Sequence, residues 1–171
     1  MGKFLFRIAR LKIMGTFIGF VFAYLPFLVP VKKIMLNRKA VSFMHPSAVY
    51  PNHVLIIPRK IARTIFNLSS EDFIEVIEMA TKIRDGDSRD FALVINGGKR
   101  QDVMQAHFHL FTGNLSAREG ISERRRLSFL ESDNHIGVNL LDTLRQHDVS
   151  EMSFSMIIQF EKDAEPVVFF T

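Results

Sequence analysis

The chain of 171 residues is long enough for one self-sufficient domain and an appendage. It contains no cysteine, which excludes disulfides, thiolate metal sites and a cysteine nucleophile. Lysine and arginine outnumber aspartate and glutamate by 22 to 18, and the net charge of +4 suits phosphate ligands or an anionic membrane surface without requiring either.

That charge is unevenly placed. The first 39 positions carry eight basic residues and no acidic one. Ile13 to Val31 is a run of nineteen uncharged residues, rich in Phe, Val, Ile and Leu. A helix needs about twenty apolar residues to cross the hydrocarbon layer, so the run is just long enough. Pro26 and Pro30 argue against one straight span, because proline lacks an amide donor and bends or ends a helix. Lys3, Arg7, Arg10 and Lys12 precede the run and Lys32, Lys33, Arg38 and Lys39 follow it, so the positive-inside rule gives no orientation. Lys3, Arg7 and Arg10 share one helical stripe, with Phe4, Ile8 and Leu11 on another. Such a helix would rest on anionic headgroups while the apolar run dips into the bilayer and returns near Pro26. Val29-Pro30-Val31-Lys32 is a poor site for signal-peptide cleavage. Residues 1–39 are therefore expected to attach the protein to a membrane, as a helix that spans it or lies on it. Burial in a core or against a partner protein is the alternative.

From residue 40 to 171 the composition is that of a soluble domain. Val41 to Met44 and His53 to Pro58 read as strands, the second buried and bounded by prolines. Ser69 or Ser70 caps a helix whose apolar positions Phe73, Val76, Ile77, Ala80 and Ile83 recur at helical spacing, and Asp85-Gly86-Asp87 stops it. Phe91 to Asn96 and Met104 to Phe111 are further strands, and residues 113–135 are polar. Gly137 to Gln146 reads as a short C-terminal helix. Met152 to Phe160 and Pro166 to Phe170 read as a closing hairpin. One long helix among these strands predicts an α+β domain on an antiparallel sheet.

The chemistry concentrates at His107-Phe108-His109. On a strand, residues two apart project from one face, so Gln105, His107 and His109 are expected side by side. The run Gln101-Asp102-Val103-Met104-Gln105-Ala106-His107-Phe108-His109-Leu110-Phe111 resembles the histidine-triad (HIT) signature, in which Gln-x-Val leads into His-x-His-x-His. Phe43, the block Pro51-Asn52-His53-Val54-Leu55-Ile56-Ile57-Pro58-Arg59-Lys60, the Leu-Ser-x-x-Asp helix start and Asn96-Gly97-Gly98 follow the family's order. The resemblance covers about residues 40–113 and implies a HIT-like fold. It also implies that His107 is a nucleophile whose Nε2 attacks phosphorus while Nδ1 bonds a backbone carbonyl. His109 would contact the phosphate or leaving group, His53 would support the triad from the side, and Asn96 would bind phosphate oxygens. Gly97 and Gly98 would let backbone donors approach a phosphate, Gln101 and His53 would join Asn96 in the substrate-binding set, and Lys99 and Arg100 would add positive charge. No cofactor is implied, and homodimers are common in the superfamily.

Three positions depart from the pattern. Gln105 replaces the first histidine and cannot titrate near neutrality. Asp102 stands where Ser or Thr contacts phosphate, and His45 where an acidic residue holds ribose hydroxyls. Sliding the motif by two is the other alignment, with His107 first, His109 the nucleophile and Phe111 a lost third member; the Gln-x-Val spacing favours the first version. A zinc site from His53, His107 and His109 lacks a carboxylate partner or His-Glu-x-x-His spacing, so no metal is expected. Arg118 and Arg124-Arg125-Arg126 come without an aromatic ladder and read as a solvated loop, so no nucleic-acid partner is expected.

The sequence thus points to a membrane-attached hydrolase or transferase acting on a nucleotide or nucleotide-lipid phosphoanhydride, its domain in the cytoplasm. The Gln-x-His-Phe-His run also resembles that of membrane-anchored CDP-diacylglycerol pyrophosphatases, which points to a CDP-lipid-like substrate. The alternative is a degenerate HIT-like module that binds a nucleotide or serves as a subunit of a membrane-protein complex.

Overall fold

The computed structural model describes residues 15–29, 31–45, 48, 50, 52–84, 90–101, 103–113, 154–160 and 167–170. The expected C-terminal helix at 137–146 and Asp102 lie outside the described residues.

Among the described residues seven strands form one sheet: β1 (Lys33–Leu36), β2 (Ala40–Met44), β3 (Val54–Pro58), β4 (Phe91–Gly97), β5 (Phe108–Thr112), β6 (Phe154–Phe160) and β7 (Val167–Phe170). Their spatial order is β1-β2-β3-β5-β4-β6-β7, and every neighbouring pair is antiparallel. The antiparallel α+β architecture and the closing hairpin agree with the sequence pattern. Strand β5 does not. It begins at Phe108 rather than Met104, because Ala106 N donates to Ala62 O in the stretch after β3 instead of joining the ladder.

Alternation of side chains gives the sheet two buried faces. Val54 and Ile56 of β3, Leu93 and Ile95 of β4, Phe108 and Leu110 of β5 and Met156 and Ile158 of β6 point to one of them. There they meet Phe73, Val76, Met79 and Ala80 of helix α2 (Ser70–Arg84). Ser69 caps that helix: its Oγ accepts from Asp72 N at 3.2 Å, and its own N–H donates to the Asp72 carboxylate at 3.0 Å. Two orphan donors at the helix start are satisfied reciprocally.

The opposite face belongs to the N-terminal segment. Helix α1 (Gly15–Tyr24) and the 3-10 turn Pro26–Leu28 pack there, with Phe22, Val29 and Val31 against Val41, Phe43 and Ile57. Arg59 Nε donates to Ala23 O at 3.0 Å and fastens the end of α1 to the sheet. Among the described residues no helix is long and apolar enough to cross a membrane. Strand β1 also precedes residue 40, so the sheet takes in part of the segment that composition assigned to membrane attachment. Its brevity hid it: four residues that follow the apolar run directly give no period of their own.

Candidate active site

The sheet face that carries α1 also carries the histidines. His109 of β5 lies opposite Leu55 of β3 on one side and Val94 of β4 on the other. His53 enters β3 two residues before Leu55, and Asn96 follows Val94 by two along β4, so both stand on this face. The ring centroids of His107 and His109 are 5.0 Å apart. His107 reaches this position from the residue before β5.

The segment ahead of β5 is held by its own hydrogen bonds. Gln105 is buried, its Oε1 accepting from Ala62 N at 3.2 Å and its Nε2 donating to Lys60 O at 2.9 Å. Ala106 N donates to Ala62 O at 2.6 Å. The Gln105 side chain is therefore spent on backbone, whereas the strand periodicity placed it beside the histidines. Its main chain is what reaches the site: His107 Nδ1 lies 2.8 Å from Gln105 O. A carbonyl only accepts, so Nδ1 carries the proton and Nε2 keeps its lone pair.

Two further imidazole contacts complete the cluster. His53 Nε2 and His109 Nδ1 are 2.9 Å apart, and one of them donates. His53 Nδ1 is buried with no hydrogen-bond partner among the described residues. An orphaned buried N–H is rarer than an orphaned acceptor, which favours the tautomer with His53 protonated on Nε2. His109 Nδ1 then accepts, and His109 carries its proton on Nε2. Burial holds His53 down to about 3, with His45 adding to the effect. Burial likewise holds His109 down to about 2, helped by His107, His53 and His45. Both rings are neutral at physiological pH.

His45 stacks on His53, centroids 4.1 Å apart and planes 4° from parallel. The donor nitrogens of His45, His53 and His109 lie within 4.8 Å of one another, a grouping that suggests a metal. The stack argues against one as the rings stand. Lone pairs in two parallel, offset planes cannot both point at one ion, and a tetrahedral site needs each ligand aimed inward. A metal would require His45 to swing out of the stack and the His53–His109 hydrogen bond to break.

The remaining predicted residues divide. Asn96 Oδ1 accepts from Ser155 Oγ at 2.7 Å, and Arg100 Nη1 donates to the same Ser155 Oγ at 3.2 Å. Ser155 was not singled out in the sequence; it joins Asn96 only through the β4–β6 register. Gly97 is constrained from the side, since a Cβ there would run into the Phe154 ring. Gly98 has φ 59°, the left-handed region that favours glycine. Gln101 Nε2 donates to Val103 O at 2.7 Å and to Arg63 O, which makes it a brace for the loop. Lys99 and Arg100 are exposed beside it.

A family model of the HIT domain matches residues 28–115. The chain belongs to the HIT domain family. No curated protein sequence matches it. Among solved structures it is similar to a HIT-like protein, with 24% identity and a TM-score of 0.50 over 55% of this chain and 98% of that one. It is also similar to a HIT family hydrolase from Clostridium thermocellum, with 18% identity and a TM-score of 0.50 over 58% of this chain and 91% of that one. At these identities the likeness speaks for the fold alone.

Proposed function

We propose that the chain is a membrane-attached HIT hydrolase or transferase that cleaves a phosphoanhydride in a nucleotide or nucleotide-lipid, with His107 as nucleophile. The observation that carries this reading is the hydrogen bond from His107 Nδ1 to Gln105 O, which puts the proton on Nδ1 and makes Nε2 the nucleophilic nitrogen. The His53–His109 hydrogen bond also favours His107 over His109, because accepting on Nδ1 leaves His109 with its proton on Nε2. As Nε2 bonds to phosphorus, the phosphorus–oxygen bond to the leaving phosphate breaks and takes the electron pair. The leaving phosphate departs as an anion and needs no proton, and the Nε2–H of neutral His109 donates a hydrogen bond to its oxygen. The phosphorylated imidazole is then cationic, and the Gln105 carbonyl stabilises its remaining N–H. Water attacks phosphorus and the phosphorus–nitrogen bond breaks, returning the pair to Nε2 while the proton lost by water passes to solvent; an alcohol or phosphate in place of water makes the enzyme a transferase. Asn96 and Arg100, joined through Ser155, supply polar groups for the phosphate oxygens on the same face. The reading includes a homodimer and a cytoplasmic domain.

The test is intact-protein mass after rapid quenching at high pH, with detergent-purified wild type and His107→Ala exposed to nucleotides and a CDP-lipid. A phosphate-ester adduct on wild type and none on His107→Ala is the expected result, and its mass identifies the retained half of the substrate. Absence of adduct and turnover across the panel, with both proteins folded, would favour a binding or subunit role.

A further inference from the structure

Helix α1 buries one stripe and exposes another. Gly19 and Ala23, four residues apart, turn inward. Phe17, Phe20 and Tyr24 turn outward, 58%, 44% and 58% exposed, and Phe27 and Leu28 of the following turn are 65% and 59% exposed. Isolated exposed apolar residues are ordinary, but five on one continuous ten-residue stretch and its turn form a surface. Leu36 of β1 pairs with Val41 beneath α1 and is itself 54% exposed, which extends the surface along the same face.

Charge decides what covers it. Lys32, Lys33 and Arg38 are exposed, and Lys33 pairs with Phe43, the residue under Phe22, so it stands on the α1 face. The first 39 residues add four more cations ahead of α1 and no acid. A second copy of this face would bring like charges together, while an anionic bilayer would pair with them. Aromatic side chains with a tyrosine among them suit the headgroup boundary.

We infer that Phe17, Phe20, Tyr24, Phe27 and Leu28 form a docking face for an anionic lipid bilayer, on which α1 lies in the plane of the surface without crossing it. The docking rests on this surface alone. Its consequence for substrate rests on the reading given above: α1 covers the catalytic face beside the site, and Gly19 packs against the side-chain amide of Gln105, the residue whose backbone carbonyl orients His107. A docked domain therefore holds its histidines at the headgroup layer, where a lipid-linked pyrophosphate is presented.

The test is flotation of the full chain with vesicles of neutral phosphatidylcholine, alone or with anionic phosphatidylglycerol. Wild type floats with the anionic vesicles, and His107→Ala floats equally, which separates docking from catalysis. Combined Phe17→Ser, Phe20→Ser and Phe27→Ser lowers partitioning by about a hundredfold, with circular dichroism and thermal unfolding reporting an intact fold. Lys32→Glu with Lys33→Glu removes the preference for anionic vesicles. No flotation of wild type, flotation unaffected by the phenylalanine changes, or a soluble dimer that those changes dissociate would each overturn the inference.

Discussion

Gln105 stabilises the site without entering it. Its amide fills the hydrogen-bonding needs of Lys60 O and Ala62 N, and only its backbone oxygen touches a histidine of the cluster, His107. Gln105→Ala is expected to strand two backbone groups at about 1–3 kcal/mol each, and it frees the carbonyl that orients His107. Urea unfolding reads the stability loss, and a drop in kcat with KM little changed reads the loss of orientation. Equal activity in Gln105→Ala would detach the nucleophile's tautomer from this carbonyl. His45 illustrates the same distinction from the other side. Identified from the sequence as an oddity of the motif, it proves to be the ring on which His53 stacks.

At the level of elements, α2 is positioned by its start as much as by its apolar face. The reciprocal Ser69–Asp72 bonds fix the first turn, and Lys60 Nζ, 3.2 Å from the Asp72 carboxylate, ties that turn to the end of β3. Ser69→Ala is expected to destabilise the protein by about 1 kcal/mol, seen as a lower urea midpoint at unchanged m-value. The cap, the helix and strands β2, β3 and β4 were legible because each has a local signal: a capping residue, a 3.6-residue period, a β-branched run between prolines. The entry into β5 was not. Alternation of polar and apolar residues from Met104 onward reads as strand, but whether a backbone joins a ladder depends on the chain that comes alongside. Here that chain is the stretch after β3, and it takes Gln105 and Ala106 for itself.

For the molecule as a whole, two buried neutral imidazoles set the pH response. His53 and His109 are held to about 3 and about 2 against an ordinary value of 6.5. Between those limits the unfolded chain binds protons that the folded one refuses, so falling pH favours unfolding. Stability is expected to be complete above about pH 7 and to decline steadily below about 6.5. Thermal unfolding at pH 7.5 and pH 5 checks this. His53→Phe, which removes one titrating group and keeps a stacking ring, should reduce the difference between the two; an unchanged difference would assign the acid sensitivity to carboxylates instead.

By itself the sequence determined the family, the α+β class, the pairing of His107 with His109 and the apolar, cationic character of the first 39 residues. These follow from short-range pattern: motif spacing, hydrophobic period and the distribution of charge. Tertiary structure alone decided that α1 lies on the face that carries the histidines, that Gln105 turns inward and that Ser155 reaches Asn96 from 59 positions away. Such contacts depend on strand register and on which surfaces meet, and a linear pattern holds neither. The apolar run near the N-terminus shows the reason most directly. Hydropathy reports that its side chains leave water, and only the folded sheet shows that Gly19 and Ala23 leave it for protein while Phe17, Phe20 and Phe27 remain exposed.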